Sequence, residues 1–146
     1  MSGCLPRGVG RGRLGFEELA GVFAGAVLAY RGDLAVLVLA GSPAAAVLAG
    51  RGVRVIREGF ADRGYTAAGR LVPRRRQGAL ITDPELVAER GWRLATREAI
   101  EADDGSALVL DVDSLCVHGD SPGAVTLARA LRQSLAARSV EVAPFA

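Results

Sequence analysis

Two short segments concentrate the side chains able to do chemistry. The first is Glu58-Gly59-Phe60-Ala61-Asp62-Arg63-Gly64-Tyr65, which directly follows the strand-like run Val53 to Arg57. A carboxylate at Glu58 or Asp62 can act as a base or orient a water, and the Arg63 guanidinium can clamp a phosphate or carboxylate through two parallel hydrogen bonds. The plainer alternative is an Asp62–Arg63 ion pair that fixes the loop, with Tyr65 lying over the core. The second segment is Cys116-Val117-His118-Gly119-Asp120-Ser121-Pro122-Gly123-Ala124, which reads as a strand, a glycine turn and a helix start. His118 is the sole histidine of the chain, and imidazole is the side chain that exchanges protons closest to neutrality. The helix start behind it offers free backbone N–H groups to an anion. In the alternative reading His118 is a satisfied core imidazole, Ser121 and Pro122 are a cap and a first-turn residue, and Asp120 helps the cap.

Short elements with short connections have to carry these segments. Phe16 to Ala29 repeats apolar residues at helical spacing, with Glu17 and Glu18 in the first turn, where the helix dipole favours acids. Leu34 to Ala40 is a continuous apolar run with β-branched Val36 and Val38, expected as a strand buried on both faces. Pro43 to Ala49 reads as a helix capped by Ser42, and Val53 to Arg57 as the next strand. That order implies a parallel sheet covered by helices, and ligands of such sheets bind at the carboxyl ends of the strands. Both segments sit at such ends. Glu58 to Asp83 is a long glycine-rich stretch without periodicity, of a kind that is often functional. Asp83-Pro84 opens another helix, Asp103-Asp104-Gly105-Ser106 is the turn of a hairpin within Ala99 to Val112, and Leu115 to His118 is a core strand. A helix capped by Ser121 and opened by Pro122 runs through Leu135, and Val140 to Val142 is expected as a last strand.

Composition bounds the function classes. The 146 residues suit one domain, and with half of them hydrophobic but only 5% aromatic the core has to be built from Ala, Val and Leu. Net charge is +2, and the basic run Arg74-Arg75-Arg76 is too short to be a nucleic-acid footprint, so it reads as a solvated loop. Every basic side chain is Arg, as GC-rich codon usage would give. The charge-free stretch 34 to 50 is interrupted by Gly41-Ser42-Pro43 and Leu19 to Tyr30 is too short, so no membrane span is expected. No secretory signal is expected either. Cys4 lies in a Gly/Arg-rich leader and Cys116 in an apolar run, so Cys116 is read as a buried small hydrophobe and the setting as reducing and cytoplasmic. No metal-ligand set is recognisable.

Three blocks resemble signature blocks of the LamB/YcsF family. Glu58, Phe60, Ala61, Asp62, Arg63 and Tyr65 match the pattern E-x-F-A-D-R-x-Y. Leu71, Val72, Pro73, Arg74, Gly78, Ala79 and Ile81 match the second block. Cys116, Val117, His118, Gly119, Asp120, Pro122, Gly123 and Ala124 match C-V-H-G-D-x-P-x-A. The resemblance runs over residues 16 to 142, with Leu39-Ala40-Gly41-Ser42 also fitting. It implies an α/β fold that is the C-terminal part of a distorted, TIM-like β/α barrel of the polysaccharide-deacetylase type, incomplete in this chain. It further implies the A subunit of a multi-subunit 5-oxoprolinase, opening 5-oxo-L-proline to L-glutamate with ATP as co-substrate and B and C subunits as partners. Asp62, His118 and Asp120 are then the catalytic candidates, with the base unassigned among them, and Arg63, Arg74, Gly119 and Gly123 the substrate- or phosphate-binding candidates.

The family pattern also includes upstream blocks of the form D-L-N-x-D-x-G-E, A-C-G-x-H-A-G-D, G-A-H-P and K-P-H-G-A-L-Y, which do not occur here. Residues 1 to 15 stand outside the resemblance and are read as an unstructured leader, leaving 16 to 146 as the barrel part. An onset of similarity this abrupt is what a frameshift, a displaced start site or a gene remnant gives. A non-catalytic remnant or interaction module of the same family is therefore the alternative function. A small anion- or nucleotide-binding domain is a third, against which counts the absence of a GxxxxGK[ST] loop.

Overall fold

The computed structural model describes residues 15–120 and 123–144. Helix α1 (Phe16–Tyr30) leads to β1 (Ala35–Leu39), α2 (Pro43–Gly50) and β2 (Arg54–Phe60). After a long loop come α3 (Pro84–Thr96), the short strands β3 (Ile100–Glu101) and β4 (Ala107–Leu108), then β5 (Ser114–Cys116) and α4 (Ala124–Ala137). Strands β1, β2 and β5 form a parallel sheet in that order, with Leu39 beside Glu58 and Phe60 beside Cys116. Strands β3 and β4 form the expected antiparallel hairpin.

Caps start α2 and α3 where the sequence places them. Ser42 Oγ accepts the Ala44 N–H at 3.2 Å, and Asp83 accepts from Glu85 and Leu86 at 2.8 and 3.2 Å. Each satisfies N–H groups that a first helical turn leaves without a carbonyl. Ser121, Pro122 and the leader, including Cys4, lie outside the described residues. The last helix begins at Ala124, two residues later than expected, because Gly123 takes the N-cap place at φ 77°.

Three apolar clusters hold the layers together. Ala24, Leu48 and Val53 join Val36, Val38 and Val55 between the first two helices and the sheet. Ala40, Tyr65, Leu94, Ile100, Leu110 and Val112 form a second cluster. Ala61, Val87, Leu127, Leu131 and Leu135 form a third, where α3 meets α4. Gly91 permits that last contact: a Cβ there would stand 2.2 Å from Leu131 Cδ1.

Several expectations change in the fold. β1 is not buried on both faces. It is a sheet edge among the described residues, and Leu37 is 46% exposed because the helices cover only the face of Val36 and Val38. β2 runs three residues further than Arg57, since pairing with β5 draws Glu58 to Phe60 into the ladder despite the glycine. β5 stops at Cys116, and the His118 N–H turns away to a side chain. Residues 140 to 142 are not a strand, because the Val140 N–H caps α4 on Leu135 O at 2.9 Å and its side chain joins the third cluster. Cys116 is half-buried rather than buried; burial, then the charges of Glu58 and Asp62, push its thiol pKa up.

Candidate functional site

The carboxyl ends of the neighbouring strands β2 and β5 bring together residues 56 positions apart. Asp62 follows β2 by two residues and is 1% exposed. One carboxylate oxygen accepts the main-chain N–H of His118 at 2.9 Å. His118 Nδ1 lies 2.9 and 3.1 Å from the two carboxylate oxygens. An ionised carboxylate only accepts hydrogen bonds, so beside it the neutral ring carries its proton on Nδ1 and its lone pair on Nε2. The His118 side chain is 19% exposed, and Nε2 is bonded to no other described residue. A buried acid thus orients an imidazole whose outward nitrogen is a proton acceptor. The Phe60 ring stacks on the imidazole, with centroids 5.2 Å apart and planes at 25°.

The loop after β2 is internally bonded despite lacking regular structure. Gly64 N–H donates to Ala79 O, Val72 N–H to Gly64 O, and Ile81 N–H to Asp62 O. Arg63 does not pair with Asp62. Its buried guanidinium donates from Nε to Ala79 O at 2.9 Å and from Nη2 to Val72 O at 2.8 Å, tying the two arms of the loop together. The charge expected to meet a substrate or phosphate is thus in use within the fold. Tyr65 lies over the core with 0% exposure, as its plainer reading has it, and its hydroxyl accepts the Phe60 N–H at 2.8 Å. Burial raises the phenol pKa to about 12.

Sequence reasoning does not single out Arg90 of α3, because nothing in its helix distinguishes it from a solvated arginine. It is buried, donating from Nη2 to Arg63 O at 3.1 Å and from Nη1 to Glu101 O at 3.2 Å. Its Nε has no partner among the described residues, and burial lowers its pKa. Two guanidinium groups and the Asp62 carboxylate thus all act on the buried Tyr65 hydroxyl.

The remaining candidates are at the surface. Asp120 and Arg74 form an ion pair at 3.4 Å, with side chains 70% and 50% exposed. Gly119 is exposed, and Gly123 adopts φ 77° at the start of α4. Arg76 meets Asp103 at 3.5 Å, so two members of the arginine run lie in surface ion pairs. Among the described residues no group of His, Cys, Asp and Glu is arranged to hold a metal, and no helix is long and apolar enough to cross a membrane.

The profile of the LamB/YcsF family matches residues 15–146. A 5-oxoprolinase A subunit of Pseudomonas syringae pv. tomato is 48% identical over 121 residues, which are 83% of this chain and 47% of that protein. The 5-oxoprolinase A subunit of Mycobacterium avium is 48% identical over 126 residues, covering 86% of this chain and 50% of that protein. The crystal structure of a lactam utilization protein from Thermus thermophilus superposes with a TM-score of 0.80 at 38% identity, over 89% of this chain and 51% of that one. The chain spans about half the length of the curated relatives it matches.

Proposed function

The chain belongs to the LamB/YcsF family, and from that premise we propose that it supplies the proton-transfer half of an ATP-dependent 5-oxoprolinase A subunit, opening 5-oxo-L-proline to L-glutamate. The observation that carries the reading is the buried Asp62 holding His118 by Nδ1 with Nε2 left to act. An unstrained lactam is a poor electrophile. Phosphoryl transfer from ATP to its carbonyl oxygen makes the ring carbon electrophilic; water adds there, the ring C–N bond breaks as its nitrogen takes up a proton, and hydrolysis of the resulting acyl phosphate releases glutamate and phosphate. His118 Nε2 takes the proton of that water, and Asp62 stabilises the imidazolium without itself being protonated. His118 is therefore the base, and Asp62 its orienting partner.

Asp120 and Arg74 stand beyond the imidazole in this reading. An exposed ion pair has little net strength, so Arg74 can leave Asp120 for a phosphate, aided by the backbone at Gly119 and Gly123. Arg63 acts through the loop it ties. The fold is the C-terminal part of a TIM-like β/α barrel, and the working assembly is cytoplasmic, with B and C subunits.

A second reading is favoured by one observation, the Arg63 guanidinium bonded within its own loop and not left for a substrate. In it the chain keeps the sheet as a non-catalytic interaction module. Purified chain mixed with B and C subunits, ATP and 5-oxoproline separates the two. The enzyme reading expects glutamate release, lowered about 10²–10⁴-fold in His118→Ala. Well-folded protein without turnover supports the module, and full activity of His118→Ala removes the histidine from the chemistry.

A further inference from the structure

We propose that Phe60 and Tyr65 are positioning residues for His118, Tyr65 closing the turn from which the Phe60 ring and the Asp62 carboxylate grip the imidazole by its face and its edge. The inference rests on the proton-transfer role given to His118 above. Two groups that hold the imidazole come from one short stretch of chain. Phe60 ends β2 and stacks on the ring, Asp62 takes Nδ1 and the main-chain N–H, and the Tyr65 hydroxyl reaches back to the Phe60 N–H at 2.8 Å. That last bond joins the two ends of the stretch.

A carboxylate on Nδ1 fixes one edge of the imidazole but leaves the ring free to tilt about that bond, and such a tilt sweeps Nε2 through an arc. A stacked phenyl blocks the arc on one side. The cost of losing that restraint falls on chemistry more than on binding, because transfer rates depend steeply on the placement of the reacting atom. Tyr65 suits its part. It is fully buried, and with its pKa raised to about 12 it stays neutral, so it holds Phe60 without adding charge beside Asp62. Phe60 also touches the core cluster around Leu94, so a purely structural role is the competing account.

His118 is the only histidine, so the whole chain shows a single set of imidazole C–H signals in carbon–proton NMR spectra. In the native protein these signals carry the upfield displacement of a ring stacked on a phenyl group. Phe60→Leu should abolish the displacement and make the imidazole more mobile by carbon relaxation, while Phe60→Tyr restores both. In the assembly with its partner subunits, Phe60→Leu should lower kcat roughly ten- to hundredfold with KM unchanged, and Phe60→Tyr should recover it. Folded Phe60→Leu with unmoved imidazole signals or an equally rigid ring overturns the proposal, as does unaltered kcat once the signals have moved. If native protein shows no turnover, the enzyme reading fails alone and ring mobility still decides the positioning role. If Phe60→Leu does not fold, Tyr65→Phe puts the same question through ring mobility, and an imidazole as rigid as the native one then counts against the clamp.

Discussion

Asp62 meets two N–H groups of one residue, the main chain and Nδ1 of His118. Only a group that accepts everywhere satisfies both. In Asp62→Asn the amide has one accepting oxygen and one donating nitrogen. If its oxygen keeps the main-chain N–H, the NH₂ faces Nδ1 and drives the ring proton to Nε2, the nitrogen needed as a base. If the oxygen keeps Nδ1, a buried N–H loses its acceptor. Asp62→Asn should therefore cost about 1–3 kcal/mol in urea denaturation. Where the assembly turns over, it should also lower kcat by about 10⁴-fold, the scale of the same change in the serine-protease triad. A variant with native kcat would show that the carboxylate does not set the tautomer.

The element that delivers these residues is the loop after β2, and its closure depends on the absence of a side chain at Gly64. A Cβ there would lie 2.2 Å from the carbonyl oxygen of Gly78, a backbone atom that cannot swing aside. Gly64→Ala should therefore destabilise the protein by at least about 2 kcal/mol. Gly78→Ala, at φ 76° with open space around it, should cost only the roughly 1–2 kcal/mol of a left-handed non-glycine residue. Equal denaturation midpoints for the two variants would mean that the loop opens freely. The sequence marks this stretch by its glycines and its chemistry-bearing residues, and it places the capped starts of α2 and α3 and the hairpin correctly because caps and turns are local signals. It does not reveal that Asp62 reaches His118 rather than Arg63, since that pairing depends on the register of β2 against β5. Arg90 stays hidden for a related reason. One arginine on an amphipathic helix looks solvated until the loop supplies carbonyls to receive it. The strand expected at Val140 to Val142 illustrates the converse, a β-like composition overruled by a helix end that needed its N–H group.

At the scale of the whole molecule, the sheet and the hairpin segment are joined by an electrostatic tie at their middle. Arg57 of β2 and Asp113, just before β5, exchange backbone and side-chain bonds: Asp113 N–H donates to Arg57 O at 2.8 Å, and the Asp113 carboxylate accepts from the Arg57 main chain at 3.0 Å and its guanidinium at 2.7 Å. Asp111 also pairs with Arg57 and, at 2.7 Å, with Arg97 beyond the end of α3. The guanidinium of Arg57 holds the Asp113 carboxyl below the usual carboxylate pKa, with its backbone N–H adding to the effect. A carboxyl whose folded pKa is depressed binds fewer protons than its unfolded counterpart, so it contributes stability above the unfolded pKa, near about 3.9. That contribution is lost as pH falls through the lower folded value. Asp113→Asn should accordingly be less stable than the native chain at about pH 7, and the gap should narrow in acid below about pH 4 as native Asp113 is protonated. Urea midpoints of both proteins at neutral and acid pH measure this. A gap of the same size at both would mean that the variant's loss does not come from the Asp113 charge.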